Sequence, residues 1–571
     1  MKGALCLLAL SAAALGQEGA VVKAMRDELA RSMAQLRLEN LDKPYFISYR
    51  VEDLDVGKVS ATLGQLTASN FGRSRILLVQ VRVGDYQLDN TNFAGGGPPA
   101  SGSTHALPLD DDYAQIRREI WLATDAEYKQ ACGTLSAKRS VLERRKTAPS
   151  LPDFTRQPPV TIHGPGEALR IDAPALEQLA RELSAVFRGS PEILRSEVQI
   201  TAANARVSAV NSEGAFFTEI LPIVQLNVIA RTQSSDGAAL ADSMIVCGRS
   251  MDAVRKEELL PRTRALLARL KALRTAPALD RYTGPVLFDD EAAAQVVAQV
   301  FAPAVTAVRI PLIEDSQVEN QIQQVLDQFG VSLADRLGGR VLPESFDVTD
   351  NPLATDFGGV PLVGSQIVDA EAVPRRETQV VENGRLKALL ATRTPTPQTS
   401  ASTGSSYTPG ATAPSNLFVV AHQPKTAAQL RQELLRIAKQ RGYEYGIVVR
   451  HAGETGLNAL TRMAMGQMSA EASGMVAAYK LFPDGREELV RAQIAPVPVA
   501  AFKDIVAAGD KPGAYAIASL LLMSSFTAGS PRAAWSSFIV PPLLFEEVTL
   551  KPPSGPSPAS PVAPSPMAAV N

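Results

Sequence analysis

The sequence predicts an α+β protein of two domains: an N-terminal α/β domain with mainly antiparallel strands, then a β-rich C-terminal domain. Three observations carry this. Up to about residue 280, segments with helical spacing of apolar residues alternate with runs rich in β-branched and aromatic residues. From Tyr282 the texture changes to short strand-like runs, Gly-Gly and Asn-Gly turns, and loops rich in Thr, Ser and Pro. The 571 residues, 45% hydrophobic and 20% charged, suit a folded chain of roughly two to four domains.

Residues 1–16 read as an export signal: Lys2 is a small basic n-region, residues 4–15 are nearly all apolar, and Ala14 and Gly16 are small residues ahead of a cleavage point before Gln17. A buried N-terminal helix fits less well, because the polar Gln17 and Glu18 interrupt the run at once. The N-terminal domain is expected over residues 17–280. Residues 21–38 have the spacing of an amphipathic helix, with Val22, Met25, Leu29, Met33 and Leu36 on one side. Residues 44–51, 59–66 and 76–83 read as three strands of an antiparallel meander, joined by connections containing Gly and Asp. After a Gly-rich loop at 94–103 comes a helix at 113–145, with Asp110, Asp111 and Asp112 placed to cap its free N–H groups. A helix at 173–187, a hairpin of strands 198–210 and 215–230 turned at 211–214, and a helix at 253–273 complete the domain. The second domain, 281–550, contains a helix at 426–440 and a loop at 393–414 read as exposed from its Thr, Ser and Pro content. Residues 551–571 form a Pro/Ser-rich tail with the composition of a disordered spacer.

Lys and Arg total 57 against 59 Asp and Glu, with no basic stripe interleaved with aromatics, which argues against a dedicated nucleic-acid binder. After the signal no apolar run is long enough to span a bilayer. The mature chain keeps two cysteines, Cys132 and Cys247, which an oxidising compartment would let pair or which remain two buried thiols. Its four histidines, His105, His163, His422 and His451, have no His or Cys at metal-ligand spacing, and no phosphate-cradling or G-x-S-x-G motif occurs. His163 reads as a loop residue; His422 and His451 flank a helix and a strand and either converge in space or serve structure separately. Glu546 and Glu547, adjacent on a strand, are expected to point to opposite faces.

In the second domain D-N-P at 350–352, G-G-V-P-L-V-G at 358–364, V-D-A-E-A-V-P at 368–374, V-E-N-G-R-L-K at 381–387, S-T-G at 402–404 and P-S-N-L at 414–417 follow one another. This succession resembles the TldD/PmbA family. Residues 44–51, 81–90 and 281–286 are similar to its exported, TldD-related members, so the likeness spans most of the mature chain.

The resemblance implies a barrel-like C-terminal domain. In active members it also implies a zinc peptidase whose metal is held by an H-E-x-x-x-H helix and a later Cys, the Glu acting as general base. Here the corresponding positions are Ala298, Gln299 and Pro303, no His lies between His163 and His422, and no Cys follows Cys247. No metal or cofactor is therefore expected, and Val296, Val297 and Val300 are read as packing this helix into the core. The resemblance then implies a non-catalytic subunit that joins a zinc-bearing TldD-like paralogue, or a homo-oligomer, and presents extended peptides. The alternatives are an active metallopeptidase or other hydrolase with a non-standard site, for which His422 and His451 are the candidates, and a free-standing extracytoplasmic peptide-binding protein.

Overall fold

Two 19-residue strands, β1 (Pro44–Thr62) and β2 (Gln65–Val83), form one long hairpin and the spine of the N-terminal half. Its turn residues Leu63 and Gly64 both take positive φ, 48° and 80°, the two-residue geometry whose twist matches the flanking strands. The structure is a computed structural model describing residues 19–95, 102–148, 150–329, 332–452, 475–520 and 533–553. The expected signal, nearly all of the tail and most of the 94–103 loop lie outside the described residues.

The hairpin replaces the expected three-stranded meander. Residues 52–58 carry acidic residues and a glycine and so resemble a connection, yet they stay in the ladder between β2 on one side and β5 (Arg195–Asn211) on the other. Cross-strand pairing offsets their poor strand propensity: Asp53 faces Arg75 and accepts from its Nε at 2.6 Å. The sheet runs β3 (Ser103–Ala106), β2, β1, β5, β6 (Phe216–Gln233), β4 (Thr161–His163), and β7 (Ala239–Gly248) also pairs with β6.

Strand alternation gives this sheet two different faces. Ile47, Tyr49, Val51, Leu77 and Val79 are buried with Ile116, Ile120 and Leu135 of α2 (Tyr113–Arg145) and Met25 of α1 (Ala20–Gln35). Farther along, Val59, Ala61, Val198, Ile200 and Leu226 are buried with Leu176 and Leu183 of α3 (Ala173–Ala185) and Leu266 and Leu270 of α4 (Lys256–Thr275). The opposite face carries Phe46, Ser48 and Arg50, paired across the ladder with Arg82, Gln80 and Leu78. That face meets the second domain, where Val207, Ala209 and Phe217 are buried with Val368 and Ala372.

The second domain contains a closed ring of five strands. β8 (Tyr282–Phe288) lies between β13 (Gly446–His451) and β19 (Leu543–Lys551), β14 (Met475–Leu481) and β15 (Glu487–Ile494) continue from β13, and β15 pairs back onto β19. β16 (Ile505–Ala508) adds to β19. A second sheet runs β11 (Arg385–Leu386), β10 (Thr378–Glu382), β9 (Phe346–Asp350), β12 (Asn416–Ala421), β18 (Ala533–Val540), β17 (Gly513–Leu520). Between them α5 (Glu291–Val296) continues through a π-helical turn (Val297–Phe301) to Ala302–Ala304, with Val296, Val297, Val300 and Phe301 inside the domain core.

Two of the expected helices begin with side-chain caps, of which the aspartate cap was anticipated. Asp112 accepts from Gln115 N at 2.8 Å, while neighbouring Asp111 instead pairs with Arg75 at 2.8 Å. α6 (Ala427–Gln440) begins with a reciprocal capping box between Thr426 and Gln429.

The 393–414 loop departs from expectation. Apart from a tip near 397–401, it is largely buried, and Arg393, Thr396, Ser402, Ser405 and Ser406 are all inside the protein. Its polar composition serves internal hydrogen bonds: Thr403 Oγ1 bonds Ala391 N at 2.8 Å, and Ser402 Oγ donates to Ala391 O.

Candidate functional site

Ala298, Gln299 and Pro303 fall on the helix 291–304, with Ala298 and Gln299 inside the π turn. The turn is closed by a bond from Ala302 N to Val297 O, five residues back. In a π turn residues five apart come to one side of the helix, where an α-helix would set them far round the axis. Ala298 and Pro303 therefore fall toward one side of the helix, but neither side chain carries a donor atom and Gln299 carries only a neutral amide. This donor set does not fit zinc. Among the described residues no three His, Cys, Asp or Glu side chains are grouped to hold a metal ion.

At the N-terminal end of the same helix lies a buried cluster of charges. His451, at the end of β13, is 13% exposed, with Nδ1 3.6 Å from Glu291 of α5 and Nε2 3.6 Å from Asp242 of β7. Arg269 of α4 holds Asp242 by two contacts, 2.7 and 3.0 Å. Gln295, one helical turn after Glu291, accepts from Ala452 N at 2.7 Å. Burial alone would lower the His451 pKa, but the Glu291 and Asp242 carboxylates outweigh it and raise it above the ordinary value. For Glu291 burial raises and His451 with Arg262 and Arg269 lowers, and the net direction is down. The cluster joins the two domains through charge.

The short motifs of the second domain converge into a scaffold. Asp350 accepts from Ser415 N and Ser415 Oγ, both at 2.8 Å. Burial pushes the Asp350 carboxyl up to about 6 despite these bonds. Asn416 donates to the carbonyls of Asn351 and Ala354, both at 3.0 Å, and accepts from Gly364 N at 3.1 Å. Gly364 sits so close to this segment that a Cβ there would lie 2.0 Å from Ser415 O. Asp369 accepts from Glu371 N, Val373 N and Ser406 N, closing a turn in which Ala372 takes φ 62°. Burial and the adjacent Glu371 raise the Asp369 pKa. These residues organise the backbone of the loops they join.

Where the scaffold meets the N-terminal sheet there is a small cleft, lined on one side by Phe46, Ser48, Arg50 and Gln80 and on the other by Ala370, Glu371, Ala372 and Arg393. Arg393 is wholly buried; it donates to Thr155 O and to Glu213 Oε1, 2.8 Å away, and lies over the Phe154 ring. The sequence signal for this cleft was the alternation in 76–83, which sends Leu77, Val79, Val81 and Val83 one way and Gln80 and Arg82 the other. Nothing in the Thr/Pro-rich run after Arg393 signalled its burial.

The histidines do not converge. His422 follows β12 and bonds Asp347 at 2.8 Å with its side chain 40% exposed, whereas His451 belongs to the closed ring and to different partners. His105 meets Ser103 Oγ and His163 meets Thr218 Oγ1. Cys132 and Cys247 are separate, buried free thiols. Glu546 and Glu547, expected on opposite faces, both reach Arg441, at 3.1 and 2.5 Å, because a register shift between Phe545 and Val548 breaks the strict alternation of β19.

Residues 281–551 match the sequence profile of the PmbA/TldA metallopeptidase C-terminal domain. No curated protein matches the chain. Among solved structures, a modulator-of-DNA-gyrase protein from Thermotoga maritima is 14% identical with a TM-score of 0.57, over 92% of this chain and 99% of that one. TldE from Thermococcus kodakarensis is 12% identical with a TM-score of 0.54, over 93% and 100% of the two chains. A modulator-of-DNA-gyrase protein from Bacteroides thetaiotaomicron gives 12% and 0.54, over 93% and 98%. At these identities the likeness is one of fold. The profile match thus places residues 281–551 in the TldD/PmbA family of metallopeptidase-related proteins, and the solved structures share the fold of nearly the whole chain.

Proposed function

We propose that this chain is a non-catalytic subunit of the family, which assembles with a zinc-bearing TldD-like paralogue and helps present extended peptides to it. The observation that carries the reading is the helix 291–304: its π turn sets positions 298 and 303 on one side, while the residues there are Ala298 and Pro303, with Gln299 where a general base would stand. A chain without ligands or base has no means of activating water at this place, yet it keeps the helix packed at the centre of its domain. Strand addition is the mode by which an extended peptide would be held. We also propose that the protein is exported, on the strength of Lys2 and the apolar residues 4–15.

Metal analysis of the purified chain, with a chelator-controlled assay on unfolded peptides, tests the first proposal. The expected result is no stoichiometric zinc and no hydrolysis by the chain alone, Gln299→Glu restoring nothing, and a stable complex with a motif-bearing paralogue in which activity follows the paralogue's metal. Zinc near one per chain, with hydrolysis abolished by chelation, would overturn it. N-terminal sequencing of protein from the native host tests export: a mature start at or near Gln17 is expected, and an intact Met1 in the cytoplasm is the contrary result.

A further inference from the structure

The cleft between the N-terminal sheet and the second domain is built unlike an ordinary packed interface. Two side chains that face it are at least nine-tenths buried and carry hydrogen-bond donors without a partner among the described residues: Arg393 through Nη1 and Gln80 through Nε2. Buried polar groups are nearly always satisfied, so two orphan donors on side chains that line one cleft mark a place where an acceptor belongs.

The surroundings define that acceptor. A guanidinium N–H beside an amide N–H is the donor pair that suits the two oxygens of a carboxylate. Arg393 is held rigidly for the purpose: its Nε and Nη2 are anchored on Thr155 O and Glu213, and its guanidinium carbon lies over Phe154 at 3.9 Å and over Phe46 at 5.3 Å. Arg82 covers Phe154 at 3.6 Å. Glu371 also borders the cleft, its oxygens already accepting from Arg393 N and Gly410 N, so a ligand of high negative charge would be repelled where a monoanion is tolerated. The remaining wall is apolar, from Phe46, Leu78, Ala209 and Phe217.

We propose that this cleft binds a monoanionic carboxylate with a small apolar body, its oxygens gripped by Arg393 Nη1 and Gln80 Nε2. The chemistry is shared by a short free acid and by the C-terminal residue of a peptide with an apolar side chain. The site is formed by β1, β2 and the loops at 370–372 and 393, away from the 291–304 helix, and the inference does not depend on whether a peptidase partner exists.

Titration calorimetry on the full chain provides the test, with propionate, N-acetyl-trialanine free acid and the same tripeptide amidated at its C-terminus as probes. Saturable binding of at least one free acid, with the amidated peptide at least tenfold weaker, is expected. Binding of the tripeptide acid in competition with propionate identifies a peptide terminus, and binding of propionate alone identifies a free acid. Arg393 also carries fold contacts, so the diagnostic variant is Gln80→Leu, which removes an unpartnered donor: its melting temperature without ligand should match or exceed that of the parent, and its affinity for the free acid should fall at least tenfold. Ala209→Leu, which fills the cleft, should abolish binding. Equal binding of acid and amide, no binding of any probe, or undiminished affinity in Gln80→Leu would overturn the proposal.

Discussion

Arg393 of the second domain lies over the Phe154 ring of the first, its guanidinium carbon 3.9 Å from the ring centroid, while its Nη2 reaches Glu213 at the β5–β6 turn. One side chain thus joins a loop, an aromatic anchor and a hairpin tip across the domain boundary. Arg393→Ala would strand Glu213 in a buried setting, and removing one partner of a buried pair costs about 3–5 kcal/mol. Calorimetric melting should show that loss. The double variant Arg393→Ala with Glu213→Gln should recover part of it, and strict additivity would show that the pair is not coupled.

The His451 cluster predicts a dependence of stability on pH. The His451 pKa is raised in the folded protein, so its contribution is full below the ordinary histidine value near 6.5 and is lost as pH rises through the folded value. The Glu291 pKa is lowered, so its contribution is present above the ordinary carboxyl value and lost as pH falls through the folded one. The link between α5, β7 and β13 should therefore be strongest in mildly acidic solution. Melting temperatures measured from pH 6 to pH 8 should fall more steeply for the parent than for His451→Gln; parallel profiles would remove His451 as the cause.

Gly364→Ala should fail to fold or lose roughly 3 kcal/mol or more, since overpacking against fixed backbone cannot be relieved by rotating a side chain. The added carbon would lie 2.0 Å from Ser415 O and 2.6 Å from Asn416 Oδ1. Gly358→Ala, where nothing lies within 4 Å but φ is +59°, should cost about 1 kcal/mol. Chemical denaturation of both variants separates steric from conformational cost.

Limited digestion of the native protein with subtilisin should leave residues 402–414 intact. Proteases need an extended, locally unfolded segment, and here Ser402, Ser405, Ser406 and Thr412 are buried and tied to neighbours. Early cleavage within 402–414 would contradict the packing described.

Helix α2 was legible because capping residues and apolar spacing agree, whereas the helix Ser316–Phe329 was not anticipated. α2 runs over the same residues, 113 to 145, that Asp112, Ile116 and Ile120 indicate. β1 was not, because its middle is acidic and is stabilised by partners such as Arg75 that are remote in sequence. The same limit hid the cleft: Gln80 and Arg393 are 313 positions apart in the chain and come to line one cleft only through sheet register and interdomain packing. The motifs around Asp350, Gly364 and Asn416 identified a family, but their bonds to one another were visible only once the chain had folded.

The closed ring has a consequence for how the protein is made. Phe288 on β8 pairs with Leu543 on β19, about 250 residues later, and β15 also needs β19 to close the ring. While a ribosome is still completing that last strand, β8 has one bare edge and Val286 and Phe288 lack their final cover. Folding of the second domain is thus a late event, governed by long-range strand pairing, and a nascent chain stays open until residues 543–551 have emerged. A truncation just before Leu543 should therefore yield a persistently aggregating product.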